Sequence, residues 1–351
     1  MTHMDLSGIF YKTNSLLIRN SENCADANFH YFTQLPKLHF NSDFLIMQKK
    51  GEQIMLSSKF DDALGKNSSL LQRRFSSEKE LHALLRKYLQ GRRIGVNFAS
   101  YPHSNFLALK KLLKNKKFID VSQELGNLRA IKSDSEIKKI KEACKITLGI
   151  YRYIENFVRV GISEIEILNE INRQMINNGC LEAYPSVVAF GENSAIPHHV
   201  PGNRKLRRGD LLLMDVGVSY ENYCSDLTRC YAIGKASEEQ KQNYAKVKSA
   251  LDYAISSIKQ NANPSALYKI AEKELGRKMP HAIGHGIGIE AHDFPSLKAD
   301  GKEMLHENNV IAIEPAIYIP KKFGIRLEDN VIVKKENCER ITKTPKELIE
   351  L

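Results

Sequence analysis

Asp215, Asp226, His285, Glu314 and Glu328 fall within 114 consecutive positions in the C-terminal half of a 351-residue chain. They sit in the runs LLLMDVGV, CSDLTRC, HAIGHGIGIEAHD, VIAIEPAIY and GIRLEDNVIV, which are apolar or glycine-rich and read as strand-like. An ionised side chain is expensive to bury in such a segment without a partner. A single acidic residue near a strand end is usually solvated or ion-paired, and a single buried histidine is usually a hydrogen-bonded core residue. Five ligand-type side chains together need one explanation, and a site for two divalent metal ions supplies it.

Hairpin arithmetic pairs four of the five. Directly opposed residues of an antiparallel hairpin have a constant sum of positions and share a face. Asp215 and Asp226 are centred between Tyr220 and Glu221, in the polar break SYENYCS. A hairpin turning there predicts two opposed carboxylates with Cβ atoms about 5 Å apart. The flanking Leu211, Leu213 and Val216 place the pair in the interior, where adjacent carboxylates protonate or repel unless a cation lies between them. Glu314 and Glu328 are centred on Lys321, in the turn-like IPKKFG. The same register sets Ala316 opposite Arg326 and Tyr318 opposite Gly324, all on the glutamate face. Arg326 and Tyr318 are therefore predicted site residues on geometry alone, and a one-residue slip would turn the whole set away.

Two such hairpins make a four-carboxylate cage whose charge two divalent ions would balance. An oxygen-rich set with one histidine suits Mn2+, Fe2+ or Co2+ better than a structural zinc site, which prefers thiolates and imidazoles. The chain has no HExxH helix. The glycines of GHGIG rule out a stable helix around His285 and are expected to let backbone approach the site closely. GHGIGI has neither the GxGxxG spacing nor the Lys-Ser/Thr of a Walker loop, which excludes a phosphate cradle.

The elements that must hold these residues follow from the surrounding pattern. Residues 44–47 and 53–58 read as strands around the turn Lys49-Lys50-Gly51-Glu52, and 76–89 as a capped helix. A strand at 93–98, a helix at 104–114 and a strand at 118–121 complete a small α/β unit with no catalytic pattern. Ser133 with Glu136 then forms a capping-box signature, followed by one apolar stripe of Ile137, Ile140, Cys144, Leu148 and Tyr151. A helix at 163–178 ends at Asn178-Gly179. The strand-rich runs PSVVAFG, DLLLMDVGV and SDLTRCYAIG come next, then helices at 237–260 and 264–276, the histidine segment and two final strands. The fold class is α+β, with domains expected over 1–127 and 128–351.

Composition narrows the class. The 42% apolar and 26% charged fractions are those of a soluble globular protein, and no run approaches the roughly 18–20 apolar residues of a membrane span. MTHMDLSGIFYK lacks the order of a secretory signal. Cysteines at 24, 144, 180, 224, 230 and 338 contain no CxxC and read as reduced thiols of a cytoplasmic protein. The net charge of +11 is uneven: residues 1–128 hold 19 Lys/Arg against 11 Asp/Glu, and the rest 33 against 30. With no nucleic-acid motif beside it, the basic N-terminal part reads as a lysine-rich solvated face.

These residues closely resemble the pita-bread-fold metallopeptidases, in particular the Xaa-Pro dipeptidase (prolidase) and Xaa-Pro aminopeptidase branch. The resemblance is carried by LRAIKSDSEIKKIKEA, GENSAIPHH, the DVG and SDLTR pair, HAIGHGIGIEAHD, IEPAIY, GIRLEDN and ITKTPKEL. It implies a C-terminal pita-bread (creatinase/aminopeptidase) fold behind a smaller creatinase-like α/β domain. It also implies a dinuclear exopeptidase that hydrolyses Xaa-Pro bonds by a metal-bridging hydroxide. Two divalent ions would serve it, Mn2+ first, with Co2+, Fe2+ or Zn2+ as alternatives. Asp215 would chelate one ion and His285 bind the other, with Asp226 and Glu328 bridging. Glu314 would join the His285 ion and act as general acid and base. His198, His281, His292 and Arg326 match second-sphere and substrate-contacting positions, His199 being the weaker partner of His198. His292 could stabilise an oxyanion, and His198 could contact the proline side. Arg326 could hold a carboxylate or carbonyl. Substrates would be small peptides with proline second, and the family habit implies a homodimer, with neither membrane nor nucleic acid as partner.

Two departures stand out. EPA replaces the usual EPG, and the predicted register points the Ala316 methyl toward the site, narrowing the pocket without loss of metal. His292-Asp293 replaces the commoner His-Glu, a minor change. A methionine aminopeptidase shares the five-ligand scaffold but is disfavoured by the R-x-E-D context of Glu328, by His281 and by the N-terminal domain. A non-catalytic peptide- or nucleic-acid-binding relative would have lost ligands, and all five are present here.

Overall fold

Burial along LLLMDV explains how the C-terminal half is layered. In the strand Leu211–Val216 every residue except Asp215 is buried. Alternation sorts them: Leu211 and Leu213 join one core cluster, and Leu212, Met214 and Val216 another. A strand covered on both faces reads as an unbroken apolar run. Helices Glu238–Ser256 and Pro264–Leu275 close the first cluster through Val247, Leu251 and Leu267. Helices Asp134–Phe157 and Glu164–Asn177 close the second through Ile154, Ile167 and Ile171. Asp215, at an odd position, faces the first.

The structure is a computed structural model that describes residues 5–22, 25–37, 42–59 and 70–351. It divides into two compact units, Met1–Arg129 and Ala130–Leu351. In the second, a four-stranded sheet runs in the order Ile349–Glu350, Leu227–Ala232, Leu211–Val216, Val187–Phe190. A five-stranded sheet runs Asp293–Leu297, Gly284–Gly286, Val310–Ile313, Asp329–Val333, Cys338–Arg340. Gly284–Gly286 is paired on both sides there, and its glycines are obligatory. A Cβ on Gly284 would lie 1.9 Å from the Ala312 carbonyl oxygen, and one on Gly286 2.0 Å from that of Phe294. The close approach that these glycines allow is to the backbone of the two neighbouring strands.

The two expected final strands are each split. Val310–Ile313 continues as Ala316–Ile319 after Glu314-Pro315, and Phe323–Arg326 continues as Asp329–Val333 after Leu327-Glu328. Pro315 has no N–H to give a ladder, so pairing lapses there. A bond from the Leu327 N–H to the Pro315 carbonyl carries the register across.

Ser133 forms the predicted capping box with Glu136, and Ile137, Ile140, Cys144 and Tyr151 are buried beneath it, with Leu148 half-buried. The helix expected over 237–260 stops at Ser256. Both Ser256 and Ser257 donate their hydroxyls to the Tyr253 carbonyl, a side-chain bond that competes with helix continuation.

The first unit is a six-stranded mixed sheet ordered Leu71–Phe75, Gln53–Ser58, Asp43–Gln48, Ser15–Asn20, Arg93–Val96, Lys117–Asp120. The expected hairpin turns through Lys49–Glu52, with Gly51 at φ 94°. Helix Glu78–Tyr88 is capped by Ser77 and packs Leu85 and Tyr88 into the core. Cys144, Cys180, Cys224, Cys230 and Cys338 are free; Cys24 and the first four residues of the N-terminal run lie outside the described residues. No described helix is long and apolar enough to cross a membrane.

Candidate metal centre

The aspartate hairpin turns one residue later than its polar break suggests. Glu221 and Asn222 both adopt left-handed backbone conformations (φ 45° and 74°), giving a two-residue turn that suits strand twist. Tyr220 pairs with Tyr223, and in the same register Asp215 pairs with Thr228 rather than Asp226. The predicted opposition is therefore wrong by two positions. An even slip preserves the face, so Asp226 stays on the Asp215 side, in the gap between Tyr223–Cys224 and Leu227–Ala232. Its backbone is satisfied by one side chain. The Asn330 amide oxygen accepts from the Asp226 N–H at 3.3 Å, and its nitrogen donates to the Asp226 carbonyl at 2.6 Å.

The glutamate hairpin has the predicted register throughout. Ala316 is paired with Arg326 and Tyr318 with Gly324, while Ile313 is paired with Asp329 beyond the break. Lys321, at the centre of the turn, takes φ 62°. Glu314 and Glu328 thus face each other where the ladder lapses.

The two hairpins meet at their carboxylates. Asp215, Asp226 and Glu328 offer oxygens within 4.8 Å of one another; Asp226, His285 and His292 form a second such group. His285 Nε2 lies 3.6 Å from Asp226 Oδ2 and 3.7 Å from Glu314 Oε1. The edge-on rings of His285 and His292 have centroids 4.3 Å apart. Glu328 Oε2 accepts from Thr228 Oγ1 at 2.8 Å, whereas its Oε1 is buried without a hydrogen-bond partner. A buried carboxylate oxygen clustered with other carboxylates fits a divalent cation, since no donor among the described residues satisfies it.

Electrostatics agree. Burial, then the neighbouring Asp215, pushes the Asp226 carboxyl well above the usual carboxylate range. Burial and then Asp226 do the same to Glu328, and burial raises Glu314. Burial lowers His285, and burial with the adjacent His285 lowers His292 to about 4. Protein groups alone favour the protonated form of these carboxyls and the neutral form of these imidazoles; a bound cation would displace the carboxyl protons and accept the neutral imidazoles as they stand.

Arg326 is buried and donates from Nη2 to Asp215 at 2.5 Å and from Nη1 to the Tyr318 hydroxyl at 2.8 Å. Tyr318 also lies 3.2 Å from His281 Nε2. These groups, with His198 on an exposed wall, line a cleft of about 840 Å³. Ala316 does not line it. It lines instead an adjoining pocket of about 330 Å³ with Arg277 and Lys278, which shares Pro197 and Tyr318 with the cleft; the expected narrowing of the main pocket by Ala316 is therefore not seen. Across the pair Ala316 and Arg326 the side chains are on the predicted face, but the long Arg326 reaches the cleft and the short methyl does not. His199 also lines the cleft, with its Nε2 bonded to Glu164 Oε2 at 2.8 Å.

Three residues went unpredicted. The Tyr184 hydroxyl donates toward both Asp215 (2.6 Å) and Asp226; nothing in EAYPSV announces this. Thr228, which joins Glu328 to Arg326 Nε, would have been found with the correct turn, because it opposes Asp215. Asn330 sits two residues beyond Glu328, and its bonds to Asp226 are visible only once the two hairpins are packed together.

Residues 138–335 match the metallopeptidase family M24 model, and residues 14–131 match the Creatinase/Prolidase N-terminal domain. An Xaa-Pro dipeptidase of Pyrococcus horikoshii is 36% identical over 271 residues, 75% of this chain and 77% of that protein. An uncharacterized peptidase of Bacillus subtilis is 34% identical over 264 residues, 74% and 75%. Among solved structures, an Xaa-Pro dipeptidase from Bacillus anthracis superposes with TM-score 0.90 at 29% identity, covering 99% of this chain and 98% of that one. An X-Pro aminopeptidase from Thermotoga maritima gives 0.88 at 28%, covering 99% and 100%.

Proposed function

The chain belongs to metallopeptidase family M24 and is a metallo-exopeptidase with a pita-bread catalytic domain; on that premise we propose that it hydrolyses Xaa-Pro bonds at the N-terminus of small peptides. The observation that carries the reading is the clustered carboxylate set of Asp215, Asp226 and Glu328, with Glu328 Oε1 buried and met by no protein donor among the described residues. We assign Asp215, Asp226, His285, Glu314 and Glu328 to two divalent ions, Mn2+ being the first choice for an oxygen-rich set. When bound, the ions would supply a nucleophilic hydroxide at neutral pH and polarise the scissile carbonyl.

The chain's own groups do the remaining work. Glu314, close to His285 and raised by burial, takes a proton from water and returns it to the departing proline nitrogen, which as a tertiary amide has none. His292, neutral at pH 7 because its pKa is lowered to about 4, donates to the carbonyl oxygen as charge gathers there. Arg326 is fixed between Asp215 and Tyr318 and orients a substrate carbonyl or carboxylate. His198 and Pro197 form the wall against the proline ring. The names of the relatives from Pyrococcus horikoshii and Bacillus anthracis support the choice of bond.

Metal-depleted protein, assayed with Met-Pro, an Xaa-Pro-Pro tripeptide and Met-Ala before and after adding Mn2+, tests the proposal. Turnover of proline peptides only with divalent metal is expected. A preference for Met-Ala would replace the specificity, and failure of every divalent ion to activate would end the peptidase mechanism. Turnover of the tripeptide would mark an aminopeptidase rather than a strict dipeptidase.

A further inference from the structure

Glu164 occupies the first position of the helix Glu164–Asn177, where an acidic side chain favours the helix dipole and ordinarily points into water. Here it is fully buried, at 0% exposure, and it accepts four hydrogen bonds. Oε1 takes the Phe190 N–H and Asn193 Nδ2, both at 2.9 Å. Oε2 takes His199 Nε2 at 2.8 Å and the Gly202 N–H at 3.0 Å. Phe190 and Gly202 are the two ends of one segment, so a single carboxylate closes that segment into a loop. Between them lies Pro197–Pro201, the cleft wall that carries His198.

The loop reaches the metal centre at two further points. Ser194 Oγ accepts from the Gly324 N–H at 2.7 Å, and Arg326 Nη1 donates to the Pro197 carbonyl at 3.3 Å. Contact there is tight: a Cβ on Gly324 would lie 2.0 Å from the Ser194 carbonyl oxygen. The outward side chains of the wall contribute no apolar anchor, since Ile196 is 53% and Val200 81% exposed. Polar ties hold this wall, and Glu164 is where they converge.

We propose that Glu164, acting through His199, is a positioning residue. It sets the Pro197–Pro201 wall, and with it His198 and the Pro197 carbonyl on Arg326, for the proline side of the substrate. The proposal deepens the Xaa-Pro reading and rests on it for the identity of the group against the wall. It also assigns a task to His199, whose Nε2 is committed to Glu164. Misplacing a substrate-positioning wall by about 1 Å can cost up to a hundredfold.

The test compares wild type, E164Q, H199A and H199Q as full-length, metal-loaded proteins. Glutamine can place a donor where His Nε2 sits, so H199Q should keep KM for Met-Pro within about twofold of wild type. H199A and E164Q should raise KM about tenfold while kcat and bound metal change much less. Backbone hydrogen exchange at Phe190 and Gly202 should speed up in H199A and E164Q and stay slow in H199Q. If E164Q does not fold, the two His199 variants decide alone. An H199A protein with wild-type KM and wild-type exchange would overturn the proposal. So would a lowered thermal midpoint with KM unchanged, which would make the pair purely structural. If wild type ignores Met-Pro, the Xaa-Pro reading falls, while the exchange result and KM for the preferred peptide still judge the positioning role.

Discussion

The two hairpins that build the candidate metal centre solve one problem differently. The glutamate hairpin is self-sufficient: Glu314 and Glu328 oppose each other in an unbroken register, and Pro315 opens the ladder where they stand. The aspartate hairpin depends on its surroundings. Asp226 is displaced by two positions from the partner of Asp215, and Tyr184, Thr228 and Asn330 hold the result together. Displacement has a use, because the position opposite Asp215 is left to Thr228, whose hydroxyl joins Glu328 to Arg326. Direct opposition specifies a pair; displacement makes room for the group that links one pair to the other.

Substitutions can break or sharpen this contrast. The largest effects should come from the ligands themselves: D226N and E328Q should each lower kcat/KM on the order of a thousandfold and reduce bound metal. Titration of metal by emission spectrometry, beside kinetics, checks this, and full metal content with normal turnover in either would remove that residue from the centre.

Next comes the pH dependence of the metal-stripped chain. Asp226 and Glu328 have folded pKa values raised above their unfolded ones, so the folded chain holds protons that the unfolded chain releases. Their contribution is fully present below the unfolded carboxylate range of about 4 and is lost as pH rises toward the folded values. Chelated protein should therefore melt lower at pH 8 than at pH 5, and Mn2+ should erase most of that difference. A melting point that rose with pH in the chelated protein would contradict the clustered-carboxylate picture.

Smaller effects separate the hairpins. T228V leaves Glu328 Oε2 and Arg326 Nε without their shared hydroxyl and should cost about 1–3 kcal/mol of stability, measured by denaturant titration. Y184F should weaken metal affinity by roughly tenfold. The smallest effect belongs to the self-sufficient hairpin: A316G should change kcat/KM for Met-Pro by less than about twofold, because its methyl lies outside the main cleft. Were A316G the more damaging of the last two, the glutamate hairpin would be the dependent one.

The legibility of each hairpin tracks the same contrast. The glutamate register was available from IPKKFG because the turn is symmetric about Lys321 and no bulge intervenes. The aspartate register was missed because Glu221-Asn222 offers no glycine to flag a left-handed turn. The site face survived that error only because the slip was even. Helix starts were readable wherever Ser and Glu or Gln stood three apart, as at Ser133, Ser163 and Ser237. Tyr184 and Glu164 were not readable, since their roles depend on which distant segments fold over them. Ala316 shows a subtler limit: register gives a side chain's face, but its length decides whether it reaches the cavity.

Asn330 turns this into a rule for anyone transplanting the site. Its amide bonds both the N–H and the carbonyl of Asp226, standing in for the neighbouring strand that the ladder lacks at that point. A grafted ligand set without it would leave two main-chain groups of Asp226 buried and unmet, and the carboxylate would drift with its backbone. The minimal portable unit is therefore larger than its metal-binding atoms. It includes one amide whose bonds to Asp226 go to backbone and that a search for acidic residues and histidines would leave behind.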